Sequence, residues 1–341
     1  MSPVDYARDV RVPLPTALRL LILALLAGLI VSASAFLGHT SIRWSEVFTW
    51  PPDAANVFWK LRAPRVALGA LAGAGLAVCG VILQALFRNP LATEYTLGVA
   101  SGASLGAATG ILLRLQGDWL GIPRLSLLAF AGAMAALSFV ALFARLRAGR
   151  DLTRLLLAGV CFAYMCSAGV LLVTFLAGRP VTNDIVVWMM GSLDVLRPRA
   201  VGEVAVVLLP VLLVAAYLHR ALDLLAMSDE LAASRGVAVG RTIWTCFVLV
   251  GLLTGVIVAN CGPIGFVGLI VPHIARALIG LRALPLVLSS AIIGSAFLAA
   301  CDGIARLPAY ETPVGILTNI VGGLFFLYLL ATRDVSFANL K

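Results

Sequence analysis

The sequence predicts an all-α, polytopic membrane protein of about ten transmembrane helices, and three observations carry that prediction. The 341-residue chain is 61% hydrophobic. Only 12% of it is charged, against roughly 25% in soluble domains. Its mean hydropathy is +1.04, and its apolar residues fall in runs of the roughly 20 residues that a hydrocarbon core requires. A chain this apolar cannot cover its surface with polar groups, so its solvent is lipid.

The first apolar run, Leu18 to Leu37, follows Arg8, Arg11 and Arg19, and Ser32-Ala33-Ser34-Ala35 resembles a signal-peptidase site. A cleaved signal and an uncleaved first span both fit that pattern. The run exceeds the usual signal core of roughly 7–15 residues, which favours an uncleaved span at 17–37 after a cytoplasmic segment, 1–16. Further spans are expected at 64–87, 95–114, 125–146, 154–177, 200–218, 241–260, 264–280, 284–302 and 313–332, all in one transmembrane domain. Gly262, Pro263, Gly265 and Gly268 crowd the start of the eighth. A short re-entrant piece there needs cover from protein or a water-filled cavity. Two connections are long, 38–63 and 178–199, and the second is expected to hold a short surface helix. Residues 221–240 are amphipathic, end near Gly236 and are too polar to span. The segment 75–92 faintly echoes 255–276; an internal repeat and chance similarity of Ala/Gly/Val-rich helices both account for it.

The formal net charge of +9 invites a nucleic-acid reading. However, 23 of the 25 basic residues are Arg, scattered between apolar runs without interleaved aromatics. No continuous basic patch forms, so nucleic acid is set aside. With both termini cytoplasmic, ten spans leave 15 basic residues inside and 10 outside. That excess supports the orientation, and the arginines left outside need a separate reason. The six cysteines lie in or beside apolar runs and make no C-x-x-C pair, so they read as small buried hydrophobes.

Gly98, Gly102, Gly106 and Gly110 recur every four residues, as do Gly69 and Gly73 with Ala77. Such spacing puts small residues on one helix face, where a neighbouring backbone can approach; helix packing is the reading. The spans hold essentially no carboxylate away from their ends, since Glu203 and Asp302 sit at edges. No ion-coupling relay is visible. Neither Lys60 nor Lys341 stands in a phosphate-binding G-x-x-x-x-G-K-[ST] loop. Energy for any uphill transport must therefore come from outside this chain. His39, His219 and His273 are far apart in sequence, and no metal or cofactor is assigned.

Three long stretches carry a family resemblance: LRAPRVALGALAGAGLAVCGVILQALFRNPLATEYTLGVASGASLGA (61–107), GPIGFVGLIVPHIARALIG (262–280) and DGIARLPAYETPVGILTNIVGG (302–323). With RLLLAGV (154–160) and the 221–237 loop, they closely resemble the permease family of ATP-driven importers for iron chelates, haem and vitamin B12. The resemblance covers nearly the whole chain. It departs at Gly323-Leu324, where many members have Ala-Pro or Gly-Pro, and at Ala63, where Leu usually separates the two arginines.

The resemblance implies a type II importer permease: a ten-span bundle paired with an identical or sister permease around a central pathway. Two ATP-binding subunits would bind inside and a periplasmic or lipoprotein substrate-binding protein would dock outside. It implies a coupling loop at Leu222–Val237. In that loop the apolar Leu224, Leu225 and Leu231 would meet an ATPase groove, while Asp229, Glu230 and Arg235 orient it; Leu222, Ser228 and Gly236 belong to the same segment. A solvated amphipathic loop would share that pattern. Arg62, Arg65 and Arg306 match the family's docking arginines, whose forks suit carboxylates on a partner. Snorkelling at the membrane surface would explain any one of them. Asn89 and Leu91, with Leu152 and Thr153, match the family's cytoplasmic gate, though Leu152 replaces a polar residue of the vitamin B12 importer.

These readings converge on a non-catalytic permease subunit in the cytoplasmic (inner) membrane, moving a ferric siderophore by alternating access. Haem and cobalamin are the alternatives within the family. A stand-alone carrier lacks its carboxylates, and a membrane enzyme lacks a nucleophile–base pair or ligand cluster.

Overall fold

A computed structural model of the protein describes residues 15–38, 57–115, 117–119, 121–146, 152–193, 199–308 and 310–332. The expected N-terminal segment (save its last two residues) and most of the 38–63 connection lie outside the described residues. Each expected span coincides with a helix. These are α1 (Thr16–Ser34), α2 (Ala63–Phe87), α3 (Val99–Leu112), α4 (Arg124–Leu146) and α5 (Leu152–Leu176) in the first half. In the second half come α6 (Arg179–Met189), α7 (Arg199–Tyr217), α8 (His219–Met227), α9 (Asp229–Ser234), α10 (Val239–Cys261), α11 (Val267–Ile279), α12 (Ala283–Ala305) and α13 (Val314–Thr332). The expected surface helix of 178–199 is α6, and α8 and α9 form the amphipathic 221–240 segment. A two-residue antiparallel pair, Asp118–Trp119 with Ile122–Pro123, closes the α3–α4 connection.

Among the described residues, six helical stretches are long and apolar enough to cross a membrane: Thr16–Ser34, Phe58–Phe87, Arg154–Leu176, Arg199–Tyr217, Val239–Cys261 and Ala283–Ala305. Four shorter apolar stretches, Val99–Leu112, Arg124–Val140, Val267–Ile279 and Val314–Leu329, have 10–17 residues. Two of these are short for a visible reason. Gly98 (φ 73°) and Phe266 (φ 66°) are left-handed residues that start α3 and α11 only after irregular backbone has entered the bundle.

The helix α2 is the axis of the fold. Pro64 lies in its first turn, where a missing N–H costs nothing. It packs against α7, α10, α11 and α12. Leu68, Leu76, Leu83, Leu253, Ile257 and Leu298 fill the space between these helices and are fully buried. By contrast α1 lies on α12 and presents Leu21, Leu25 and Leu29 outward. Such a face is stable only against lipid or another protein.

Close helix approach depends on paired glycines. A side chain at Gly73 in α2 would strike the Gly294 carbonyl in α12, and one at Gly294 would strike that of Gly73. A side chain at Gly80 would strike the Gly268 carbonyl of α11, whereas one at Gly268 would meet the Glu94 carboxylate and Leu76 O; Gly102 of α3 and Gly132 of α4 face each other reciprocally. Gly106 faces the Leu128 carbonyl, whereas Gly69 and Gly110 face only leucine side-chain tips. Sequence spacing singled out one member of each crossing except Gly80–Gly268, and none of the partners Gly268, Gly294 and Gly132.

Pro272 lies inside α11 and has no N–H, so the carbonyl four residues earlier, Gly268 O, lacks its helical donor. Gln84 of α2 supplies one: its Nε2 donates to Gly268 O at 3.0 Å, and Arg276 donates to its Oε1. The irregular stretch 262–266 is covered by protein. Ser192 N donates to Cys261 O (2.8 Å), Gly315 N donates to Gly191 O (3.3 Å), and Gly191 and Gly315 both crowd Pro263 O. The expectation of non-helical backbone at the start of the eighth span, under protein cover, matches this geometry.

Replacing Gly106 with Leu should therefore lower unfolding stability by roughly 1–3 kcal/mol, read by thermal unfolding in detergent, because the side chain meets rigid backbone. Replacing Gln84 with Leu should cost about 1–3 kcal/mol by orphaning Gly268 O, and more if Arg276 stays buried without a partner.

Candidate docking, gate and coupling sites

The three candidate docking arginines are brought together. Arg62 ends a short π-helical turn, Phe58–Arg62, Arg65 stands in the first turn of α2, and Arg306 caps the end of α12. All three are largely withdrawn from solvent. Arg62 and Arg306 are buried. Arg65 Nε donates to Asp302 Oδ1 at 2.9 Å and its Nη1 to Glu311 Oε2 at 2.7 Å. Arg306 Nε lies 3.0 Å from Asp302 Oδ2, and its Nη2 donates to Ser34 O at 2.8 Å. Arg62 Nη1 reaches Phe36 O at 3.4 Å. The cluster thus ties the ends of α1, α2 and α12. Its buried carboxylate, Asp302, stood out in the sequence only as a span-edge residue, and Glu311 did not stand out at all.

At the other end of α2 the chain turns sharply. Arg88 is left-handed (φ 50°) and Asn89 Oδ1 accepts from Leu91 N at 2.9 Å, an Asx-type turn that fixes the loop. Leu91 is 45% exposed. Leu152 and Thr153 lie in the first turn of α5, but their side chains are outside the described residues. Only the backbone positions of these two candidate gate residues are therefore described.

The candidate coupling segment is α8 and α9 with Ser228 between them. Ser228 Oγ accepts from Leu231 N at 3.0 Å and starts α9 as an N-cap. A backbone hydrogen bond at Glu230 and one from Ser228 hold the Glu230 carboxyl below the usual range, and Arg88 adds to this. Arg235 and Gly236 (φ 82°) are exposed where the segment turns toward α10. The expectation that Leu225 meets a partner groove does not fit its surroundings. Leu225 and Leu222 are fully buried in the permease's own core, because at this helical spacing they face α2 and α12. Leu224 is half-buried against the same core, and Leu231 is also half-buried. The exposed surface is Ala226, Met227, Glu230, Ala233, Ser234 and Arg235.

Two polar links bind this segment to the bundle. Asp223 Oδ1 accepts from Ala283 N (2.7 Å) at the first residue of α12, and Asp229 is ion-paired with Arg88. Asp229 is thus engaged inside the chain, next to the gate turn. Sequence spacing placed the gate and the coupling loop 141 residues apart, and nothing in it joined Arg88 to Asp229.

One buried carboxyl escaped the sequence reading. Glu94, in the irregular stretch between α2 and α3, is 1% exposed beside Gly268, with neither oxygen hydrogen-bonded. It lay outside the expected spans, and only the inward fold of that stretch buries it. A single carboxyl makes no relay. Among the described residues no group of three or more His, Cys, Asp or Glu side chains is placed to hold a metal ion.

A family model, the FecCD transport family, matches residues 21–332. The cobalamin import system permease protein of Halobacterium salinarum is 37% identical over 84% of this chain and 77% of its own length. The hemin transport system permease protein of Yersinia pestis is 34% identical over 90% of this chain and 93% of its own. The Fe(3+) dicitrate transport system permease protein of Escherichia coli is 36% identical over 87% and 93% respectively. A solved inward-facing chain of a metal-chelate type ABC transporter superposes with a TM-score of 0.83 at 30% identity, covering 92% of this chain and 99% of that one.

The Arg88–Asp229 pair is partly exposed and contributes about 1 kcal/mol or less to stability. Asp229→Asn should leave the unfolding temperature nearly unchanged while freeing the gate turn. A spin label on Leu91→Cys, in a Cys161→Ser background, should become more mobile. The charge exchange Arg88→Asp with Asp229→Arg should restore its order.

Proposed function

Because the chain belongs to the FecCD transport family, we propose that it is the membrane-spanning permease subunit of an ATP-driven importer of an iron(III)–siderophore complex. Ten helices cross the cytoplasmic (inner) membrane with both termini cytoplasmic. Two permease copies, identical or sister, surround the pathway. Two ATP-binding subunits sit on the cytoplasmic side, and a periplasmic or lipoprotein binding protein delivers cargo from the other.

One observation carries this reading. The arginine cluster and the gate–coupling assembly lie at opposite ends of the same buried helix, α2. Its 25 residues span about 37 Å at about 1.5 Å per residue, more than the roughly 30 Å of a hydrocarbon core. That length supports a placement of the two polar sites on opposite membrane faces. Arg62, Arg65 and Arg306 meet carboxylates of the binding protein. Met227, Glu230 and Arg235 meet the ATPase, while Leu222, Leu224 and Leu225 root α8 in the bundle. Motion of α9 reaches Asn89 and Leu91 through Arg88, and Leu152 and Thr153 close the gate from α5. Cargo selection resides in the binding protein, so the pathway needs only to fit and release.

Haem and cobalamin are the second reading, favoured by the cargo for which two relatives are named. Mass spectrometry of ligand retained by the purified intact complex distinguishes them from a siderophore. The class itself is tested in proteoliposomes. Uptake should require ATP and the partner subunits, and Arg62, Arg65 and Arg306 changed together to Glu should abolish uptake while the chain still inserts. Accumulation by the chain alone, without nucleotide, would overturn the proposal in favour of a secondary carrier.

A further inference from the structure

The docking arginines share an acidic side chain of their own chain. Glu311 lies between α12 and α13, its side chain is 53% exposed, and its Oε2 is 2.7 Å from Arg65 Nη1. Its charge also acts on Arg62 and on Arg306. The neighbouring residue is pinned: Thr312 N and Oγ1 both donate to Ala305 O, at 3.0 and 3.1 Å. The Glu311 side chain can therefore swing while the backbone stays in place.

The two carboxylates of the cluster differ in kind. Asp302 is fully buried and joins Arg65 to Arg306 from within the fold. Removing it would leave buried guanidinium groups uncompensated. Glu311 is at the surface, and its pair with Arg65 is open to water and weakly held. Arg62 and Arg65 also each repel Arg306. An acid at the rim relieves that repulsion until another arrives.

We propose that Glu311 is an internal stand-in for a docking partner's carboxylate, holding Arg65 Nη1 in the undocked state and yielding when the partner's acid takes its place. This rests on the docking role given above to the three arginines. An incoming carboxylate that grips Arg65 with both oxygens needs two of its N–H groups. Asp302 takes the Nε edge of the guanidinium and Glu311 takes Nη1 of its Nη1–Nη2 end, so a partner carboxylate that docks end-on exchanges one internal ion pair for an intermolecular one. The exchange lowers affinity for every acidic partner. It leaves selectivity to those that supply more than one carboxylate to the cluster.

The test uses the full chain in phosphatidylcholine nanodiscs and a 12-residue polyglutamate peptide as the acidic probe, with polylysine of equal length as control. Four forms are compared: the natural chain, Glu311→Gln, Arg65→Gln and the double variant, each with its unfolding temperature. Glu311→Gln should bind polyglutamate about fivefold more tightly, and the gain should vanish when Arg65 is also Gln. If Glu311→Gln binds no more tightly while Arg65→Gln weakens binding, the stand-in is overturned and the docking role survives. Equal binding by all four forms overturns both. A gain that persists without Arg65 reports bulk charge alone and also overturns the stand-in.

Discussion

A carbonyl inside a membrane bundle cannot turn to water, so each one must find a donor within the protein. Pro272 makes that constraint acute by withdrawing the donor owed to Gly268 O. Gln84 meets it, and Arg276 occupies the other end of the same amide, so the amide's orientation is set by use at both ends. That junction locks α2 to α11 where Gly80 and Gly268 touch. It also fixes the wall against which the stretch carrying Glu94 folds inward. The 88–91 turn and the irregular 262–266 segment flank it along the chain.

Around this junction, the ion pairs described above lie at the ends of helices. At one end, Asp302 gathers Arg65 of α2 and Arg306 at the end of α12, and Arg306 in turn donates to Ser34 O at the end of α1. At the other, α8 and α9 are rooted by Leu222, Leu225, Asp223 and Asp229. The rooting explains why apolar residues of an amphipathic loop turn inward. A nine-residue helix presents one stripe to a neighbour, and here the permease itself occupies that stripe.

The fold was largely legible in the sequence because a chain in lipid has few ways to satisfy its backbone. Continuous apolar runs such as 241–260 and 284–302 had to be helices, and they are, with ends shifted by three residues or fewer. The shortening of the third run was not legible, since the left-handed Gly98 looks like one more member of a glycine stripe. The same blindness hid the partners of Gly73 and Gly102, because spacing shows one face at a time. At the candidate sites, motif likeness singled out the arginines, the 88–91 turn and the 222–237 segment. It could not reveal Asp302 between Arg65 and Arg306, Arg88 against Asp229, or the burial of Glu94. Each joins residues distant along the chain, and only the closed bundle brings them together.

The bare backbone crossings of α2 have a mechanical meaning. Interdigitated side chains act like gear teeth, and turning one helix past another forces rotamers over barriers. Where Gly73 meets Gly294 and Gly80 meets Gly268, there are no teeth. Both contacts lie along one helix about seven residues apart, and hydrogen bonds stand in for the missing teeth: Gln84 Nε2 donates to Gly268 O beside one crossing and Ser295 Oγ to Ala70 O beside the other. The three helices are thereby keyed to one another backbone to backbone, as a single strut through the bundle.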